Sequence, residues 1–228
     1  MSERDEDALR RRIARAAARG VAGGSDATRA VFRAARRVAG GWVPEDQLPS
    51  AAEVRDEVVR AIDPAAAAAR LTGDRFAGIA AVVGMLATVR QDPARHPEGD
   101  VLEHTLQVFE RVRAERPYDE ELLTAALVHD VGRAIDRTAP VPAALAALEG
   151  LITPRTAWLV ETLPAATAYA DRTLGHRARQ RLEAHPDFLD ALLLAEADRK
   201  ARIRGYDAPS LDEAIAILRG LEADDDGG

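Results

Sequence analysis

LLTAALVHDVGRAID, residues 122–136, places an adjacent histidine and aspartate at the end of an otherwise apolar run. Leu122, Ala126, His129 and Asp130 fall at i, i+4, i+7 and i+8, the spacing that puts side chains on adjoining faces of one helix. A titratable pair carried inward on such a face costs free energy unless it finds a partner. Two further stretches have the same character. In HPEGDVLEHTLQVFERV (96–112), Val101, Thr105, Val108 and Val112 form an apolar stripe with His104 at its margin. In LLLAEADRKARIRG (192–205), Leu194, Asp198 and Ala201 share one side. His104, His129, Asp130 and Asp198 are therefore expected to point into a helical bundle, where facing helices build metal sites.

Helix punctuation recurs along the whole chain, and no run of alternating β-branched residues is present, so the expected fold class is all-α. Residues 5–19 read as an Arg-rich helix. Ser25 can cap a second helix running to Ala39, and Ser50 with Glu53 forms a capping box opening a third. Asp63-Pro64 begins a short Ala-rich helix to about Leu71, and a long apolar helix runs from Thr72 or Asp74 to about Arg90. Helices over 100–115 and 119–131 follow, then segments near 141–149, 154–162 and 173–184. A helix from Pro186 to Arg202 carries Asp198, and Ser210 with Glu213 caps a last helix to about Leu221.

With 228 residues, 47% hydrophobic and 30% charged, the chain can bury a sizeable core. Aromatics are only 4%, so that core must come from Ala, Leu, Val and Ile. The absence of cysteine excludes disulfides, thiolate metal ligands and a cysteine nucleophile, and it fits a reducing cytoplasm. No run of about 18 apolar residues suggests a membrane span. The net charge of −7 argues against general nucleic-acid binding, yet Arg10, Arg11, Arg12, Arg15 and Arg19 cluster near the start. That helix reads first as a solvated face, and it is the best candidate for contact with a polyanion such as RNA or with a protein partner. Residues 222–228, EADDDGG, read as an acidic disordered tail.

The order His104, His129-Asp130, Asp198 resembles the H…HD…D signature of the HD superfamily of metal-dependent phosphohydrolases. The first block most resembles the HD domain of bacterial tRNA nucleotidyltransferases, in Gln91-Asp92-Pro93, His96-Pro97-Glu98-Gly99-Asp100-Val101 and His104-Thr105-Leu106. The resemblance covers roughly residues 72–205. It implies a helical N-terminal extension over 1–71 and an HD domain over 72–221. No Gly-Ser motif followed by a DxD pair precedes residue 72, so the nucleotidyltransferase head is missing from the pattern.

The resemblance implies a divalent ion held by His104, His129, Asp130 and Asp198. Two imidazoles and two carboxylates suit Mn, Fe, Co, Ni or Zn, and less readily Mg. Asp130 is implied to hold the attacking water as well. Arg133, in HDVGR, stands where a cation can contact substrate phosphate. The expected activity is hydrolysis of a phosphomonoester or cyclic phosphodiester on a nucleotide or other phosphate ester. The alternative is a binding or regulatory module that keeps the fold without turnover, because no acid after the HD pair matches the family clearly; Asp136 is the nearest candidate. Read singly, His104 fits a hydrogen-bonded buried histidine, and Asp198 can pair with Arg199 or Arg202. Trp42 and Trp158 are expected to pack, His96 to fix its loop, and His176 and His185 to lie exposed.

Overall fold

The computed structural model describes residues 3–22, 27–62, 73–89 and 101–226. Among these residues the regular structure is α-helix and 3-10 turn, with no strand. The expected Ala-rich helix after Asp63, the loop holding His96 and the boundary at 71/72 lie outside them.

Three helices form the N-terminal part: α1 (Glu3–Ala22), α2 (Ala27–Ala39) and α3 (Ala51–Ile62). Helix α1 packs against both α2 and α3. The contact surfaces are largely alanine and valine, with Ala14, Ala17, Ala30, Val31, Ala34 and Val58 all buried, which lets the helix axes approach closely. The expected capping box opens α3: the Ser50 N–H donates to Glu53 Oε2 at 2.7 Å, and the Glu53 N–H donates to Ser50 Oγ at 3.2 Å.

The remaining helices are α4 (Arg75–Gly84), α5 (Val101–Glu115), α6 (Glu120–Val128), α7 (Gly132–Ile135), α8 (Pro140–Ala147), α9 (Pro154–Ala170), α10 (His176–Glu183), α11 (Phe188–Lys200) and α12 (Leu211–Asp226). Their starts are capped as the side chains dictate. Asp74, Asp119 and Thr153 accept from the N–H groups of Ala77, Leu122 and Thr156, and Ser210 with Glu213 repeats the capping box. Helices α5, α6, α9 and α11 pack on one another, and α3 docks on α8. One continuous buried cluster runs from Ile13 to Leu218, so the N-terminal helices share the core.

Four boundaries differ from the sequence-based expectation, each for a local reason. The helix expected to reach Arg90 ends at Gly84, a poor helix former, and tightens into a 3-10 turn over Met85–Thr88. The helix expected to reach residue 131 stops at Val128, where the His129 ring Nδ1 meets the Ala126 carbonyl at 2.9 Å and competes for the backbone acceptor. Helix α9 passes through Pro164, which sits on its exposed side, and continues eight residues beyond the expected end. Helix α12 runs to Asp226, because Glu222 pairs with Arg75 at 2.6 Å instead of opening a disordered tail. Trp42 is also corrected: it is 86% exposed, since the Gly40–Pro44 linker carries it away from the core. Trp158 packs on the core as expected and stacks on His185, with ring centroids 3.6 Å apart.

Candidate metal centre

The site forms where α5, the end of α6 and the end of α11 meet. His104 is on α5, and its ring is 1% exposed. Its Nδ1 lies 2.6 Å from the Ala201 carbonyl and its Nε2 lies 2.8 Å from Asp198 Oδ1. Both ring nitrogens therefore face oxygen acceptors. Burial opposes the charged imidazole, but the hydrogen bond and charge of Asp198, with the charge of Asp130, outweigh it and raise the His104 pKa. Asp198 responds in the opposite direction. Burial disfavours its carboxylate, while the His104 hydrogen bond and the charges of His129, His104 and Arg133 hold its pKa far below the ordinary range.

His129 and Asp130 occupy the turn between α6 and α7. With Nδ1 at the Ala126 carbonyl, His129 aims Nε2 inward, 3.5 Å from Asp130 Oδ2 and 3.9 Å from Asp198 Oδ1. Neither His129 Nε2 nor Asp130 Oδ2 has a hydrogen-bond partner, although both are buried. The two imidazoles sit 5.7 Å apart at 63°. One donor atom each from His104, His129 and Asp130 lies within 4.8 Å of the others. Ligands held at ~2.1 Å from a common ion are separated by roughly 3–4.2 Å, so these donors must draw in by a few tenths of an ångström to share one. Asp198 Oδ1 lies beside this group of three, 2.8 Å from His104 Nε2 and 3.9 Å from His129 Nε2. The fit rests on two buried atoms that make no hydrogen bond, His129 Nε2 and Asp130 Oδ2: they lie 3.5 Å apart beside the His104–Asp198 pair, and an unsatisfied buried polar atom is costly unless something binds it.

Arg133 lies one turn beyond, with Nε 2.9 Å from Asp130 Oδ1 and its side chain 42% exposed. It thus grips the carboxylate oxygen that the inner site leaves over, while part of the guanidinium reaches solvent. Asp136, the nearest acid after the HD pair, is committed elsewhere: its Oδ1 accepts from the N–H and hydroxyl of Thr138 at 2.9 and 2.6 Å. His185 is held by the Trp158 stack and accepts from the Asp187 N–H at Nδ1. The structure brings His104, His129, Asp130 and Asp198 together and keeps Arg133 beside them. It does not pair Asp198 with Arg199 or Arg202.

Two supports were not legible in the sequence. Gln107, one turn after His104, is buried and clamps Ile203 from both sides, Nε2 donating to its carbonyl at 2.7 Å and Oε1 accepting its N–H at 3.1 Å. With the His104–Ala201 contact this fastens the segment after α11 along α5. The other support is Gly132. A Cβ there would fall 1.7 Å from the Pro140 carbonyl oxygen, so α7 and α8 touch backbone to backbone directly after the HD pair. Nothing local to Gln107 points to Ile203, 96 positions on, and a lone glycine gives no signal either.

No protein-family model matches this chain, and no curated protein matches its sequence. Among the described residues, no helix is long and apolar enough to cross a membrane.

Proposed function

We propose that the chain is a divalent-metal-dependent phosphohydrolase of HD type, acting on a nucleotide or another phosphate ester. The observation that supports this most is the pair of buried atoms that make no hydrogen bond, His129 Nε2 and Asp130 Oδ2, beside the His104–Asp198 pair. His104, His129, Asp130 and Asp198 would hold the ion. When bound, a divalent ion of this kind supplies positive charge to phosphoryl oxygens and eases deprotonation of water. Asp130 offers an acceptor that orients the attacking water. That water oxygen forms the new bond to phosphorus, the ester P–O bond breaks, and the departing oxygen takes up a proton. Arg133, anchored through Nε, presents its remaining N–H donors to the phosphate, where charge-assisted bonds are strongest.

A second reading has its own support. Asp136 is engaged by Thr138, and no other acid follows the HD pair closely. A chain of this kind can bind metal and phosphate without turnover. The test uses the purified full-length chain. Metal content is measured first. Phosphomonoester, phosphodiester and 2′,3′-cyclic nucleotide substrates are then offered with Mn, Co, Ni, Zn and Mg in turn, beside a His129→Ala control. Hydrolysis that vanishes in the control supports the enzyme. Bound metal with no turnover above the control overturns it in favour of the binding module, and no metal at all overturns both.

A further inference from the structure

Charge in this protein is strongly segregated. Residues 8–39 hold nine arginines and one acid, a surplus of eight, in a chain whose net charge is −7. The described structure puts seven of these arginines on the outward faces of two packed helices. On α1, Arg11, Arg12 and Arg15 are exposed; on α2, Arg29, Arg33, Arg36 and Arg37 are exposed. Among the described residues, none of Arg11, Arg12, Arg33, Arg36 and Arg37 is in an ion pair. Amid this face stands Phe32, 52% exposed, with Arg29 three positions before it and Arg36 four after it. Trp42, 86% exposed, follows just beyond the end of α2. A groove of about 350 Å³ is lined by Phe32 together with Arg10, Glu45, Asp46, Leu48 and Pro49.

We infer that the outward face of α2, where Arg29, Phe32, Arg33 and Arg36 share one side of the helix, binds single-stranded RNA, independently of the chemistry at the metal centre. Guanidinium groups in a row track a phosphate backbone, and an exposed ring set among them is a platform on which a base stacks. The groove gives the stacked base a place to sit. Its carboxylates are acceptors for base amino groups and for the ribose 2′-hydroxyl, the donor that distinguishes RNA from DNA. An anionic membrane is the less fitting occupant. The apolar face of α2, formed by Ala30, Val31, Ala34 and Ala35, is already buried, so only isolated rings remain to enter lipid.

The test is fluorescence anisotropy with the full-length chain and a labelled 12-nucleotide RNA. The same-sequence DNA, a duplex RNA and phosphatidylserine vesicles serve as parallel arms. Single-stranded RNA should bind most tightly, and log affinity should fall with log salt by about 0.7 per phosphate contacted. Phe32→Ala should weaken binding by about 10-fold, the scale of one lost stacking contact. The double charge reversal Arg33→Glu/Arg36→Glu should abolish it, with the far-ultraviolet circular dichroism unchanged. Both variants alter exposed side chains remote from His104 and His129, so metal content should stay the same. Absence of RNA binding at 50 mM salt overturns the inference, as does binding indifferent to both variants. DNA bound as tightly as RNA overturns the RNA assignment, and vesicles bound in preference to RNA replace it with a membrane.

Discussion

Arg133 Nε and Asp130 Oδ1 lie 2.9 Å apart, so the arginine holds the outer oxygen of the same carboxylate whose inner oxygen has no partner. This fixes which oxygen of Asp130 faces inward. It also leaves the guanidinium with donors to spare.

Replacing Arg133 with alanine is expected to lower kcat/KM for a phosphate ester by about 10–100-fold, the equivalent of one charge-assisted contact of ~1.5–3 kcal/mol. Metal content should remain near that of the parent, because a guanidinium has no lone pair for a cation. Unchanged kinetics would leave Arg133 only its contact with Asp130.

The two histidines should differ in what they do without metal. His104 satisfies two acceptors, so His104→Ala leaves the Ala201 carbonyl and Asp198 unpaired and should cost about 2–4 kcal/mol in denaturant titrations under chelator. His129→Ala removes a partnerless nitrogen along with its contact to Ala126, and should cost clearly less. The parent should gain about 2.7 kcal/mol at metal concentrations 100 times its Kd, and neither variant should. Equal costs under chelator would contradict the assigned hydrogen bonding.

Gly132→Ala should be among the most damaging single-methyl additions in the chain. The new Cβ would meet the Pro140 carbonyl at 1.7 Å, and because the obstacle is backbone, α7 and α8 must separate. A loss of about 3 kcal/mol is expected from such overpacking, together with weaker metal uptake. Gly220→Ala is the matched control: nothing lies within 4 Å of its added Cβ, and it should stabilise α12 by roughly 0.5–1 kcal/mol. A thermal melt of both proteins decides it.

Arg155 is gripped by Asp119, Glu121, Asp187 and Asp190 at 2.7–3.3 Å, joining the N-terminal ends of α6, α9 and α11, the ends of α6 and α11 opposite those near His129 and Asp198. Burial works against the Asp119 carboxylate, but Arg155 and the Leu122 N–H outweigh it and lower its pKa. A carboxyl depressed on folding contributes stability above its unfolded value of about 3.9, and that contribution is lost as pH falls through the folded value. Arg155→Gln reverses the sign, because the crowded carboxylates then resist ionisation. Its cost should be ~1–3 kcal/mol at pH 7 and should shrink as pH falls from 6 to 4. A penalty independent of pH would show that the cluster is not electrostatic in origin.

The all-α class was legible because local signals agree. Ser50 with Glu53, Asp74 and Ser210 with Glu213 each cap the helix they were expected to open. The proximity of His104, His129, Asp130 and Asp198 was legible from the apolar context around each side chain. What the sequence hid is tertiary in origin. The bond from His129 to Ala126 shortens a helix that periodicity would extend, and Glu222 orders a segment whose composition suggests disorder. Trp42 misled because large rings are usually buried, and nothing local says which way a linker turns. The Gln107 clamp depends on residues 96 positions away, beyond any local pattern.

That clamp and the His104 contacts tie α5 to the segment around Ala201 across nearly a hundred residues. Contacts of such separation come late in folding, since the chain must close a long loop before gaining them. During synthesis, His104, His129 and Asp130 would emerge well before Asp198 and Ala201. A ribosome-bound chain stopped at residue 190 would hold three of the four donors without the strap that aligns them. Tight metal uptake by nascent chains of increasing length would thus mark the moment the fold is complete.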